Sequence, residues 1–114
     1  AHNIMQLTAG GAPKLKPVRV AKTSAYTTTA SDAIIGVDST TAAFTVTLVA
    51  AATIGAGGIQ IIADETGKCA LNAVTVDASG AEKIDGALSV DINTAYGFLM
   101  LYSTGTGWKK IGVA

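Results

Sequence analysis

The chain has 114 residues, enough for one compact domain and too few for two. Charged residues make up only 14 % of it, against about 25 % in ordinary domains, while hydrophobic residues reach 49 %. A surface with so few charges is covered by Thr, Ser and Asn, by subunit contacts, or by both.

Net charge is zero but unevenly spread. Residues 1–22 hold Lys14, Lys16, Arg19 and Lys22 and no acid, so they carry +4 and residues 23–114 carry −4. A basic leading segment on an acidic body fits a nucleic-acid arm, an arm docked on an acidic protein surface, or a solvated arm. Four charges spread over nine residues, near Pro13 and Pro17, make a weak case for nucleic acid. Cys69 is the single cysteine, so no intramolecular disulfide framework exists, and a plain free thiol is expected. No basic stretch followed by an apolar core marks a signal peptide. The most apolar region, residues 42–63, is too interrupted by Thr, Gly and Gln60 to span a bilayer as a helix. The first residue is Ala, as in a cytoplasmically made chain after loss of its initiator Met, which reads as a nearly complete protein. A fragment cut at that point would begin the same way.

Gly10, Gly11, Pro13 and Pro17 argue for an extended arm over residues 1–22. Residues 15–22 suit an edge strand, with Leu15, Val18 and Val20 as its apolar positions. From residue 23 the texture becomes Thr-rich and β-branched, marking the body, residues 23–114. Residues 33–37 read as a short strand. Residues 43–49 alternate, with Phe44, Val46 and Leu48 on one face and Thr45 and Thr47 on the other. Residues 50–58, rich in Ala and Gly, read as a crossing loop with one helical turn. Residues 58–63 form a strand through Ile59, Ile61 and Ile62, and residues 64–67 a turn. Val74 and Val76 point inward from a strand over residues 72–77. Residues 81–84 read as a brief strand ended by the tight-turn pair Asp85-Gly86. Leu88, Val90 and Ile92 line one side of the next strand. Residues 96–102 are apolar on both faces, as in a central strand or one at a subunit contact. Residues 108–113 form the last. About eight short strands and no amphipathic helix predict an all-β domain, a sandwich, jelly roll or barrel.

Catalytic chemistry finds little to work with. Nucleophilic catalysis needs a nucleophile, a base and an orienting group, and His2 is the only histidine. A zinc site needs several His or Cys ligands, and His2 and Cys69 are all there are. The glycines at 55–58 lack the Lys-Ser or Lys-Thr of a phosphate loop. Asp64 and Glu65 share one turn, while Asp77, Glu82 and Asp85 bracket another. Their spacing fits neither an acid/base pair nor a calcium loop, and acids that cap turn backbone explain them. Acids of three chains can still converge on a trimer axis. Tyr96, Tyr102 and Trp108 suit either a sugar-stacking platform or buried strand positions. Trp108 is expected in the core, with Tyr26 and Tyr96 open.

Residues 26–112 carry an ordered set of segments. Tyr26-Thr-Thr-Thr-Ala-Ser-Asp32 leads into Ile34-Ile-Gly-Val-Asp38, then Thr45-Val-Thr-Leu48. Ile59-Gln-Ile-Ile-Ala-Asp-Glu-Thr-Gly67 follows, then Val74-Thr-Val-Asp-Ala-Ser-Gly80, Glu82-Lys-Ile-Asp-Gly86, and Leu101-Tyr-Ser-Thr-Gly-Thr-Gly-Trp108. In this order they resemble a β module of phage tail fibres, tail-needle knobs, head fibres and capsid decoration proteins. That family usually has Pro where this chain has Val49. The resemblance implies a jelly-roll-like β-sandwich, usually trimeric, on a virion surface, with no catalytic residues.

The expectation is therefore a homotrimeric capsid decoration (cement) protein or short head fibre of a bacteriophage. It would be made in the host cytoplasm and would be no enzyme, with no cofactor, metal, nucleic acid or membrane. Lys14, Lys16, Arg19 and Lys22 are the candidate arm for the major capsid protein of the shell. Tyr96, Phe98, Met100 and Tyr102 are the candidate trimer-contact or core strand. The alternative is a receptor-binding tail-fibre or tail-needle knob that recognises a host surface glycan. A glycan depolymerase built from carboxylates across a trimer stands third, without the paired acids it needs.

Overall fold

Runs of Val, Ile and Thr separated by Gly, Asp and Ser favour a pleated backbone over a helix. The computed structural model describes residues 16–114, which are mostly β. The strands are β1 (Arg19–Lys22), β2 (Tyr26–Thr27), β3 (Ile34–Val37), β4 (Phe44–Thr47), β5 (Ile59–Asp64), β6 (Val74–Asp77), β7 (Ser89–Ile92), β8 (Phe98–Ser103) and β9 (Trp108–Val113). One helical turn, α1 (Ala51–Ile54), lies in the Ala- and Gly-rich crossing, and a 3₁₀ turn spans Lys68–Ala70.

Two local expectations change. Residues 81–84 form no strand, because the turn at Asp85 and Gly86, both at positive φ, folds Ile84 straight back onto Ala87. The apolar run at 96–102 becomes a strand only at Phe98, since Tyr96 sits in the left-handed region at φ 59°.

The strands make two mixed sheets. One has the order β1-β3-β5-β8-β9 and the other β2-β4-β6-β7. From β1 to β6 each strand lies in the opposite sheet from the one before it. Neighbours within a sheet are thus reached by crossover, and crossovers give parallel pairs. β1, β3 and β5 run parallel, as do β2, β4 and β6. Only β7, β8 and β9 add antiparallel ladders, to β6, β5 and β8 respectively. This pairing differs from the jelly-roll expectation, whose ladders are antiparallel throughout. Periodicity reports which face of a strand is buried but says nothing about the direction of its partner.

Both sheets contribute to one core. Ile35, Val37, Ile62, Leu99, Leu101 and Trp108 enter from the five-stranded sheet, and Val46, Val74, Val76 and Ile92 from the other. Each fully buried Val, Leu or Ile contributes about 1.5–3 kcal/mol. Gln60 is the largest of the fully buried polar side chains, beside Ile62. Its Oε1 accepts from Thr28 Oγ1 at 2.7 Å, and its Nε2 donates to the carbonyls of Thr29 and Asp32 at 2.8 and 3.0 Å. The loop between β2 and β3 is thereby fixed from inside by three hydrogen bonds to one buried side chain.

Candidate assembly surface

The basic segment enters the body as a strand. β1 is one edge of the five-stranded sheet among the described residues, in parallel register with β3 from Arg19 beside Ile34 to Lys22 beside Val37. Residues 19–22 of the expected arm are thus a strand of the five-stranded sheet. Of the four candidate arm residues, Lys14 lies outside the described residues. Lys16 is exposed ahead of the strand, while Arg19 and Lys22 belong to the sheet. Arg19 donates both Nε and Nη2 to the Glu65 carboxylate. The guanidinium holds the Glu65 carboxyl below its usual range, and Glu65 in turn raises Arg19. To reach Arg19, Glu65 lies across β3 over Gly36, where a Cβ would collide with its carboxylate. A glycine inside a strand is a legible sign of such close approach. Lys22 Nζ sits 4.1 Å from the Tyr26 ring centroid, a cation–π contact.

The outer faces of the two sheets are unlike. On the four-stranded sheet the outward positions are Thr27 beside Thr47, Thr45 beside Thr75, Thr47 beside Asp77, Thr75 beside Asp91 and Asp77 beside Ser89. Every one is polar. On the five-stranded sheet a row runs Arg19, Ile34, Ile61, Met100 and Gly112 across all five strands. The adjoining row runs Ala21, Gly36, Ala63 and Phe98, and a third sets Ile59 beside Tyr102 and Lys109. Of the candidate contact strand, Phe98, Met100 and Tyr102 are thus on this outer face, half-buried by their neighbours, while Leu99 and Leu101 fill the core.

Tyr96 is separate from them. It precedes β8 and is 68 % exposed. A network around Asp64 holds it. That carboxylate, 4 % exposed, accepts backbone N–H groups from Thr66 and Gly67 at 3.2 and 3.1 Å on Oδ1. On Oδ2 it accepts those of Cys69 and Tyr96 at 3.1 and 2.9 Å. Burial pushes the Asp64 carboxyl up, but the four backbone donors outweigh it and hold the group below the usual carboxylate range. The Tyr96 ring rests on Gly67, where a Cβ would lie 2.7 Å from Cε2. Sequence reasoning placed Asp64 in a turn. Nothing in the sequence ties it to a backbone N–H that lies 32 residues further on.

Two of the other candidate acids, Glu82 and Asp85, also have partners within the chain. Glu82 accepts from the Ala51 N–H at the start of α1, and Asp85 pairs with Lys109 at 3.3 Å. Cys69 is buried and free, with Ser39 Oγ at 3.7 Å. Among the described residues there is no ligand-sized pocket and no cluster of three or more His, Cys, Asp or Glu side chains placed to hold a metal ion. No helix among them is long and apolar enough to cross a membrane. What the geometry defines is a two-sheet β body with a basic edge strand and one apolar outer face. No protein-family model matches the chain, and no curated protein matches it.

Proposed function

We propose that the chain is a bacteriophage virion structural protein: a homotrimeric capsid decoration (cement) protein or short head fibre on the particle surface. Its sandwich-like body would carry no reaction. The segment ahead of β1 would grip the major capsid protein, and the trimer would link neighbouring shell subunits against internal pressure.

The observation that supports this is the continuity of the basic segment with β1. A tether attached to a flexible loop transmits little load. Here Lys16 and Pro17 lead directly into a strand that is bonded along its length to β3 and clamped by Arg19 and Glu65. Tension along the arm is then shared by several ladder bonds and one bidentate ion pair.

Co-sedimentation with phage shells stripped of this protein tests the reading. Deletion of residues 1–17 leaves β1 intact, so the body keeps its fold. Loss of at least tenfold in shell affinity is expected, and undiminished binding sinks the arm model.

The receptor-binding knob is favoured by one observation of its own. Tyr96 is exposed, rigidly held at an uncommon backbone angle, and backed on Gly67. A glycan array reads it directly, with binding that Tyr96→Ala abolishes as the supporting result.

A further inference from the structure

We infer that the open edge of β1 is a docking strand, to which an extended segment of a different protein adds in line with the five-stranded sheet. The fitting segment has two apolar residues at alternate positions with an acid on either side. The inference concerns β1 itself and stands whether or not the chain belongs to a virion.

The first support is the backbone. In the parallel ladder to β3, the Val18 carbonyl accepts from the Ile34 N–H at 2.9 Å and the Lys22 carbonyl from the Asp38 N–H at 3.0 Å. Successive residues of a strand aim their N–H and C=O groups to opposite sides. Val18, Val20 and Lys22 therefore bond to β3, while those groups of Arg19 and Ala21 face away from it. Among the described residues nothing pairs with them. Two donors interleaved with two acceptors match another extended backbone, whereas a phosphate chain offers acceptors alone. Pro17, at the same parity, has no N–H and sets one end of the stretch.

The second support is a contrast among the edge strands, β1 and β9 of one sheet and β2 and β7 of the other. Sheet edges are normally guarded by brevity, bulges or charge. β2 has two residues, and β7 carries the exposed Asp91 between Val90 and Ile92. β9 carries Lys109 and Lys110 side by side, and its register against β8 is interrupted. β1 runs in unbroken register with β3. Its charges turn back onto the chain, Arg19 to Glu65 and Lys22 to the Tyr26 ring.

Side chains then choose the occupant. Val20 packs against the core, and Val18, two residues earlier and on the same side by the strand period, is 52 % exposed. Lys16 and Lys22 flank them at the same parity, with Lys16 exposed. Residues 16 to 22 thus read cation, apolar, apolar, cation at alternate positions. Directly opposed side chains of neighbouring strands attract when their charges are opposite and repel when they are alike. A complementary strand therefore reads acid, apolar, apolar, acid, a pattern that is the same in either direction. A second copy of β1 sets lysine against lysine, so the partner is a different segment. In strand addition the backbone bonds supply affinity and the alternate side chains supply specificity.

The probe is the acetylated and amidated peptide Glu-Thr-Val-Thr-Val-Thr-Glu, added to the full chain and followed by amide exchange in NMR. Near saturation, exchange at Arg19 and Ala21 should slow about tenfold, while Val20 and Lys22, already bonded to β3, stay unchanged. The same peptide with Lys at both ends should bind about tenfold more weakly. Ala21→Pro removes an edge donor that β3 does not use, and should abolish binding of the acidic peptide. Should that variant misfold by circular dichroism, Lys16→Glu, which lies ahead of the strand, should erase the preference for the acidic peptide. Slow exchange at Arg19 and Ala21 before any peptide is added overturns the inference. So does equal binding of the two peptides, or binding that leaves those two amides unprotected. An oligothymidylate that protects the same amides also overturns it, in favour of nucleic acid.

Discussion

Replacing Asp64 by Asn keeps the shape of the side chain and removes half of what it does. The Asn carbonyl still accepts from two of the four backbone donors at Thr66, Gly67, Cys69 and Tyr96. The other two N–H groups then face an amide NH₂. Two hydrogen bonds to a charged acceptor are worth about 3–6 kcal/mol together. Relief from burying a charge returns part of that, so a net loss of about 2–4 kcal/mol is expected. This is a large share of the ~5–15 kcal/mol that holds an ordinary domain folded. Urea denaturation at fixed protein concentration reads it as a lower midpoint at unchanged slope. The pH dependence supplies a second check. The folded Asp64 titrates below its unfolded value of about 3.9, so its contribution is full above that pH. It is lost as the pH falls through the folded-state value. The gap between wild type and Asp64→Asn should therefore narrow below about pH 4. A gap under about 1 kcal/mol at pH 7, or one that does not narrow in acid, refutes the reasoning.

Gln60→Leu leaves the Thr28 hydroxyl and the Thr29 and Asp32 carbonyls without their buried partner. It should cost about 2–4 kcal/mol by the same denaturation assay. Gly36→Ala pushes the Glu65 carboxylate off β3 and opens its pair with Arg19. Because that pair is exposed, the denaturation midpoint should barely move, while amide exchange in β1 speeds up. The Cys69 thiol is raised by burial above its ordinary value and is fully covered. A disulfide reagent should label it only at the rate of unfolding, and fast labelling of native protein would contradict its placement.

The strands with clean alternation were legible from the residues. Val46 and Leu48, and Val74 and Val76, point where a period of two puts them. Trp108 is in the core, as its position suggested. The direction of pairing was not legible, because Thr45 and Thr47 alternate identically in either kind of ladder. Nor was the break before β8. Tyr96 looks like the first residue of an apolar strand, yet a carboxylate 32 residues away holds its N–H, and no local pattern records that. Gln60 among isoleucines gave no sign of its role, since its partners come from another loop. Gly36 did carry a signal, but its meaning needs the register that brings Arg19 and Glu65 to the same strand.

The crossing of the chain from sheet to sheet also governs the order in which it becomes a fold. Among the ladders described, only β8 and β9 are joined by a short loop, closed by the Thr104 N–H on the Gly107 carbonyl. Ile34 must wait for Ile61, and Ile61 for Met100, before either has a neighbour on both sides. Such distant pairings are slow to find, because each closes a long loop before any contact rewards it. A ribosome delivering this chain from its N-terminus releases the parallel strands first and the antiparallel closing strands last. Until β8 and β9 emerge, β5 is an unfinished edge, and an unpaired apolar edge of this kind is the part of a nascent chain most prone to aggregation.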